Sequence, residues 1–75
     1  METKANLQEL FLLRLRQERV PVTLFLMNGF QMRGVVTGYD PFAVTLDCEG
    51  RQQLVYKHAI STIAPQRAVD MRDAE

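Results

Sequence analysis

Val20-Pro21-Val22-Thr23-Leu24-Phe25-Leu26-Met27-Asn28-Gly29-Phe30 decides how the rest of the chain is read. Its positions alternate with a period of two: Val22, Leu24 and Leu26 fall on one side, Thr23, Phe25 and Met27 on the other. Alternation of this kind marks a half-buried strand, because successive side chains point to opposite faces. Asn28-Gly29 then predicts a hairpin, since both residues tolerate the positive φ that a two-residue turn demands. A second strand follows from about Phe30 to Tyr39, and Gly34 inside it predicts a sharp bend, of the kind that curls a small sheet.

Upstream the period changes. Leu7, Leu10, Phe11 and Leu15 recur at helical spacing and give one sticky face, while Leu12 and Leu13 make the helix apolar nearly all round. Asn6 followed by Glu9 fits a capping-box variant, which places the helix start near Leu7. Pro21 disfavours helical geometry in Val20, so the helix stops between Gln17 and Arg19. Downstream, Asp40-Pro41 marks a turn, Phe42 to Cys48 a third strand, and Glu49-Gly50 another turn. Gln52 to Tyr56 reads as a fourth strand, Lys57-His58 as its exit, and Ile60 to Ala64 as a short fifth. Asp40 organises its turn by accepting from nearby backbone N–H groups, and Tyr56 reads as a core or subunit contact. The expected fold is mainly β: an N-terminal helix, then five antiparallel strands in meander order, bent into a small open barrel. One domain spans residues 6–66, between a flexible stretch at 1–5 and a disordered tail at 67–75.

A chain of 75 residues is one domain with a small core. Such chains usually need a disulfide, a metal or partner subunits. Cys48 is the only cysteine and His58 the only histidine, so neither an internal disulfide nor a metal set is expected, and no cofactor is implied. Association remains. The two outer strands of an open barrel are exposed edges. Pairing the fourth strand of one copy with the fifth of the next would close a ring and remove both. No apolar stretch nears the roughly 20 residues of a membrane span and no signal peptide opens the chain, so a soluble, cytoplasmic protein without a membrane partner is expected. The formal net charge is zero. That average combines an acidic end (Asp70, Asp73, Glu75) with a basic helix end (Arg14, Arg16, Arg19).

Within Leu54-Val55-Tyr56-Lys57-His58-Ala59-Ile60-Ser61-Thr62, a cation and an imidazole stand side by side in a short turn. Together they can contact a phosphate or a base edge, weakly in one copy and strongly when repeated around a ring. This run resembles the Hfq family, the bacterial Sm-like RNA chaperones. So do Arg16-Gln17-Glu18-Arg19-Val20-Pro21-Val22, Phe25-Leu26-Met27-Asn28-Gly29-Phe30 and Gly38-Tyr39-Asp40-Pro41-Phe42. The resemblance covers residues 6–66 and implies a homohexameric ring that helps small regulatory RNAs pair with messenger RNAs. On the helix-bearing, proximal face it implies a pore for uridine-rich RNA, lined by Gln8, Pro41, Phe42, Lys57 and His58. Phe42 would stack a base while Lys57 and His58 donate to base oxygens and phosphates. Pro41 stands where well-known members have glutamine. On the opposite, distal face, Phe25, Leu26, Gly29, Phe30, Gln31, Met32, Gln53 and Thr62 match the positions that take adenine-rich RNA. Phenylalanine at 25 and 30 is similar to the Gram-positive type. On the lateral rim, Arg14, Arg16 and Arg19 match or neighbour the basic positions that drive annealing, but Gln17 and Leu13 replace an arginine and an asparagine of the strongest annealers.

Two other classes of function compete. One is a ring that scaffolds protein partners and handles little RNA. The other is a small hydrolase built on His58, which lacks a visible nucleophile held by an orienting base.

Overall fold

The computed structural model describes residues 7–72. Asn6 of the capping box, the stretch 1–5, and Asp73 and Glu75 lie outside the described residues. Helix α1 runs Leu7–Glu18, followed by strands β1 Pro21–Leu26, β2 Gln31–Tyr39, β3 Ala43–Cys48, β4 Arg51–Tyr56 and β5 Ile60–Pro65; a 3-10 turn, Lys57–Ala59, separates the last two. Each expected element is present to within a residue or two.

The end of α1 is a Schellman motif. Arg19 adopts φ 52°, its N–H donates to the Arg16 carbonyl at 3.4 Å, and the Val20 N–H donates to the Leu15 carbonyl at 3.2 Å. Leu15 and Val20 are both fully buried, which supplies the apolar contact that accompanies this cap. Pro21 then starts β1, so the helix has no route onward. Leu10, Leu12 and Leu15 form its buried side. Leu7, expected on the sticky face, is exposed instead: the helix sits on the sheet through its second and third turns, and its first residue projects past the core.

The core joins Leu12 and Leu15 to Val20, Val22, Leu24, Val36, Val44, Leu46 and Val55. Val22 and Leu24 confirm the alternation read from β1, whereas Met27 on the other register is exposed. Among the described residues no polar or charged side chain is buried.

The strand order is β4-β3-β2-β1-β5, all antiparallel. The meander holds for four strands and breaks at the fifth. Beyond the 3-10 turn the chain crosses over and pairs β5 with β1, from Leu26↔Ile60 to Val22↔Pro65. A bond from the Met27 N–H to the Ala59 carbonyl, 2.8 Å, ties the crossover down. Bending makes this possible, because a curled sheet carries β1 around to meet the exit of β4. The registers slip at Phe25/Leu26 and at Val36/Gly38, and such irregularities are where small sheets curve. Gly34, where a bend was expected, is a point of close approach: a Cβ there would lie 2.6 Å from the Asp47 carbonyl oxygen. β4 and β5 remain as the two edges.

Beyond Pro65 the chain has no regular structure, yet residues 67–72 lie on α1. Arg14 Nε and Nη2 donate to the carbonyls of Asp70 (2.9 Å) and Arg72 (2.8 Å). Arg67 meets the Glu18 carboxylate at 3.3 Å, and half-buried Val69 packs against the core.

Candidate functional site

Asp40 sets the first side of the site. Its Oδ1 accepts from the backbone N–H groups of Phe42 and Ala43, both at 2.8 Å. The Phe42 bond is the larger cause holding this carboxyl below its ordinary range, followed by the Ala43 bond, with the Lys57 charge adding a little. Pro41, pre-set for a turn, completes the tight β2–β3 connection, and Phe42 is held at its tip with 74% of its surface exposed. The Phe42 carbonyl accepts from the Lys57 N–H at 2.8 Å, which docks the 3-10 turn beside it. His58 stacks on Tyr56, with centroids 5.8 Å apart and planes 15° from parallel. Tyr56 is 57% exposed on the edge strand and is not a core residue of the single chain.

The five residues expected at the pore therefore come together. Gln8, Pro41, Lys57 and His58 border an open groove of about 490 Å³. Pro41, Phe42, Lys57 and His58, with Tyr56, border an adjoining one of about 470 Å³. Gln8 arrives from the first turn of α1, Pro41 and Phe42 from the β2–β3 turn, and Lys57 and His58 from the exit of β4. The result is an exposed ring face next to a primary amine and an imidazole, a set suited to stacking one planar group and donating to its edges. The described neighbour of the His58 ring is Tyr56, and among the described residues no group of three or more His, Cys, Asp or Glu is placed to hold a metal ion.

The second expected set is distributed differently. Register pairs Phe25 with Gln31 across β2 and with Thr62 across β5, so these three form one cross-strand row on the outer face. At the end of this ribbon Gly29 takes φ 93° and the Phe30 N–H donates to Asn28 Oδ1 at 3.0 Å, which leaves Phe30 70% exposed. Leu26 and Met32 are half-buried and lean on the core. Gln53 is on β4, paired with Leu46, and two strands separate β4 from β1. Thr62 also borders the 490 Å³ groove, so the two surfaces meet at the free edge of β5.

Of the three arginines expected on the rim, Arg14 is engaged by the tail carbonyls. Arg16 lies over the Tyr39 ring, 5.4 Å from its centroid. Arg19 occupies the left-handed cap. Sequence reading missed Tyr39, Arg67, Asp70 and Arg72 here. No local pattern betrays contacts between residues so far apart, 49 to 58 positions for those of the tail.

Comparison with known proteins agrees with this fold. The family model described as "Hfq protein" matches residues 7–70. A protein of Halalkalibacterium halodurans named RNA-binding protein Hfq is 61% identical over 72 residues, covering 96% of this chain and 92% of its own. Namesakes from Shouchella clausii (58% identical, 97% of this chain and 95% of its own) and Brevibacillus brevis (51%, 100% and 95%) align equally fully. A crystal structure described as the pleiotropic translational regulator Hfq superposes with a TM-score of 0.77 at 46% identity, covering 79% of this chain and 98% of that one. With the helix, the five strands and nearly all of its length shared with these proteins, this chain belongs to the Hfq family.

Proposed function

We propose that the protein is an RNA chaperone, working as a cytoplasmic homohexameric ring that pairs small regulatory RNAs with messenger RNAs. Uridine-rich ends occupy the groove around Phe42, Lys57 and His58, and adenine-rich segments lie across Phe25 and Phe30. The observation that carries this reading is the convergence of Gln8, Pro41, Phe42, Lys57 and His58 from three separate parts of the chain onto one exposed groove. The names of the relatives, RNA-binding protein Hfq, support RNA as the ligand.

Assembly follows from what one chain leaves incomplete. β4 and β5 each offer an unpaired row of backbone donors and acceptors. Joining β4 of one copy to β5 of the next carries Gln53 toward Thr62 and Phe25, completing a stacking surface with an amide able to read an adenine edge. The same joint places successive Lys57 side chains around a shared opening, concentrating positive potential that a neutral monomer lacks.

Binding of short oligo-U and oligo-A to two variants tests the arrangement. Lys57→Ala is expected to weaken oligo-U at least tenfold and leave oligo-A within about twofold, since a lost hydrogen bond from a charged donor costs roughly 1.5–3 kcal/mol; Phe30→Ala is expected to do the reverse, since one lost stacking platform costs roughly 1–3 kcal/mol. Equal losses in both variants would reject two separate surfaces. Absence of binding to either oligomer by the unsubstituted protein would favour a scaffold for protein partners.

A further inference from the structure

The groove and the outer face of one chain share a backbone connection. The 3-10 turn Lys57–Ala59 carries the amine and the imidazole of the groove, and none of its residues is buried. With no side chain anchored in the core, the turn is positioned by a backbone bond at each end. The Lys57 N–H donates to the Phe42 carbonyl, and the Met27 N–H donates to the Ala59 carbonyl, both at 2.8 Å. The first bond ties the turn to the stacking residue of the groove. The second ties it to the hairpin that presents Phe30.

That hairpin is a closed unit. The Gly29 N–H donates to the Leu26 carbonyl at 2.9 Å, and the Leu26 N–H to the Phe30 carbonyl at 2.8 Å. Met27 and Asn28 have negative φ while Gly29 has φ 93°, so residues 26–29 form a type I turn that ends in a left-handed glycine. The bond from the Phe30 N–H to Asn28 Oδ1, 3.0 Å, fixes the residue that follows. Across the crossover Thr62 faces Phe25 and Ile60 faces Leu26, which makes Ser61 the extra residue of a bulge. A bulge disrupts the ladder locally. The bond between Met27 and Ala59 is the rung beyond it, and it sets where the 3-10 turn stands relative to the hairpin.

We propose that the two surfaces are energetically coupled through this bond. A strand held at Lys57 and His58 steadies the 3-10 turn, and the turn steadies the hairpin through Met27. A second strand, across Phe25 and Phe30, then meets a surface already ordered. Ordering by the first ligand lowers the entropy cost of the second, without any change of shape. Linkage makes the effect reciprocal. Its size is bounded by the net worth of one hydrogen bond, about two- to tenfold in affinity. The inference rests on the RNA-chaperone reading and adds to it regulation between the two surfaces. It is compatible with separate contacts, because Lys57→Ala deletes a side chain and leaves this backbone bond in place.

Met27 allows the bond to be cut selectively. It is the second residue of a type I turn, where proline is favoured, and Leu26 before it is already in a strand. Met27→Pro therefore removes the N–H donor while suiting the turn, whereas Met27→Ala removes an exposed side chain and keeps the donor. For both full-chain variants and the unsubstituted protein, affinity for short oligo-A is measured with and without saturating oligo-U, and the converse. Repulsion between the two bound strands is common to all three proteins, so Met27→Pro serves as the reference. In the unsubstituted protein and in Met27→Ala, the tightening of one oligomer by the other should exceed that in Met27→Pro by about two- to tenfold, equally in both directions. Hydrogen exchange at the Met27 amide of the unsubstituted protein is an independent readout, decisive even where Met27→Pro does not assemble: oligo-U should slow it by a similar factor. Equal ratios in all three proteins, a ratio lost in Met27→Ala as well, or an exchange rate indifferent to oligo-U would overturn the coupling and leave the chaperone reading intact. Failure of the unsubstituted protein to bind either oligomer would remove both.

Discussion

At the scale of single residues, two positions convert local chemistry into the shape of the site. Asp40 organises the β2–β3 turn by accepting two backbone N–H bonds, and its carboxyl is held below the ordinary range. The sign follows: a depressed folded-state pKa contributes stability above the unfolded value near 4, and that contribution is lost as pH falls through the lower, folded value. Thermal melts between pH 6 and 2 should therefore show a shallower acid limb for Asp40→Asn than for the original protein, because the amide oxygen accepts the same bonds without titrating. Gly34 is the other. Its missing side chain lets β2 approach the Asp47 carbonyl, and backbone cannot swing aside as a flexible side chain would. Gly34→Ala should cost about 1–3 kcal/mol in urea unfolding; a neutral result would mean the strands separate freely there. Both residues were visible in the sequence, Asp40 correctly as a turn organiser and Gly34 as an exception within a strand. The reason for Gly34 was not legible, since a close approach belongs to two strands and shows in neither alone.

At the scale of elements, α1 shows how far local rules reach. Pro21 foretold the stop, and the cap forms two residues before it. The residue in left-handed geometry is arginine, where glycine would be free of the Cβ penalty of about 1–2 kcal/mol. Arg19→Gly should thus raise the unfolding free energy by about 0.5–1 kcal/mol, after allowing for glycine's greater freedom in the unfolded chain. A loss of stability on chemical denaturation would show that the Arg19 side chain contributes more than its backbone costs. The helix's buried side was harder to read. Leucines on nearly every face gave no unique stripe, so Leu7 looked like core and Leu12 like surplus, until packing on the sheet chose Leu12 and Leu15. Period-two alternation in β1 carried less ambiguity: of its inward set Val22 and Leu24 are fully buried and Leu26 half-buried.

At the scale of the whole molecule, pairing β5 with β1 leaves β4 and β5 as edges at opposite ends of one curled sheet. Copies joined edge to edge in this way propagate head to tail, and closure removes every exposed strand. Native mass spectrometry should show a single closed species of six subunits at micromolar concentration, and Tyr56→Asp on the β4 edge should shift it toward smaller species. A monodisperse single chain would end the ring model. The tail belongs to this scale too: its contacts on Arg14 and Glu18 join residues 49 to 58 positions apart.

What the sequence determined by itself was everything governed by neighbours a few positions apart. Helix and strand periods, the Asn28-Gly29 turn, the proline stop and the motif around Lys57-His58 depend on backbone preference and side-chain spacing, both written in consecutive residues. Only tertiary structure decided which strand meets β5, that the tail binds Arg14, and that Gln8, Phe42 and Lys57 share a groove while Gln53 stands two strands from Phe25. Those outcomes rest on how a bent sheet returns to itself. Its curvature is a sum over all its residues, carried by no single stretch of them.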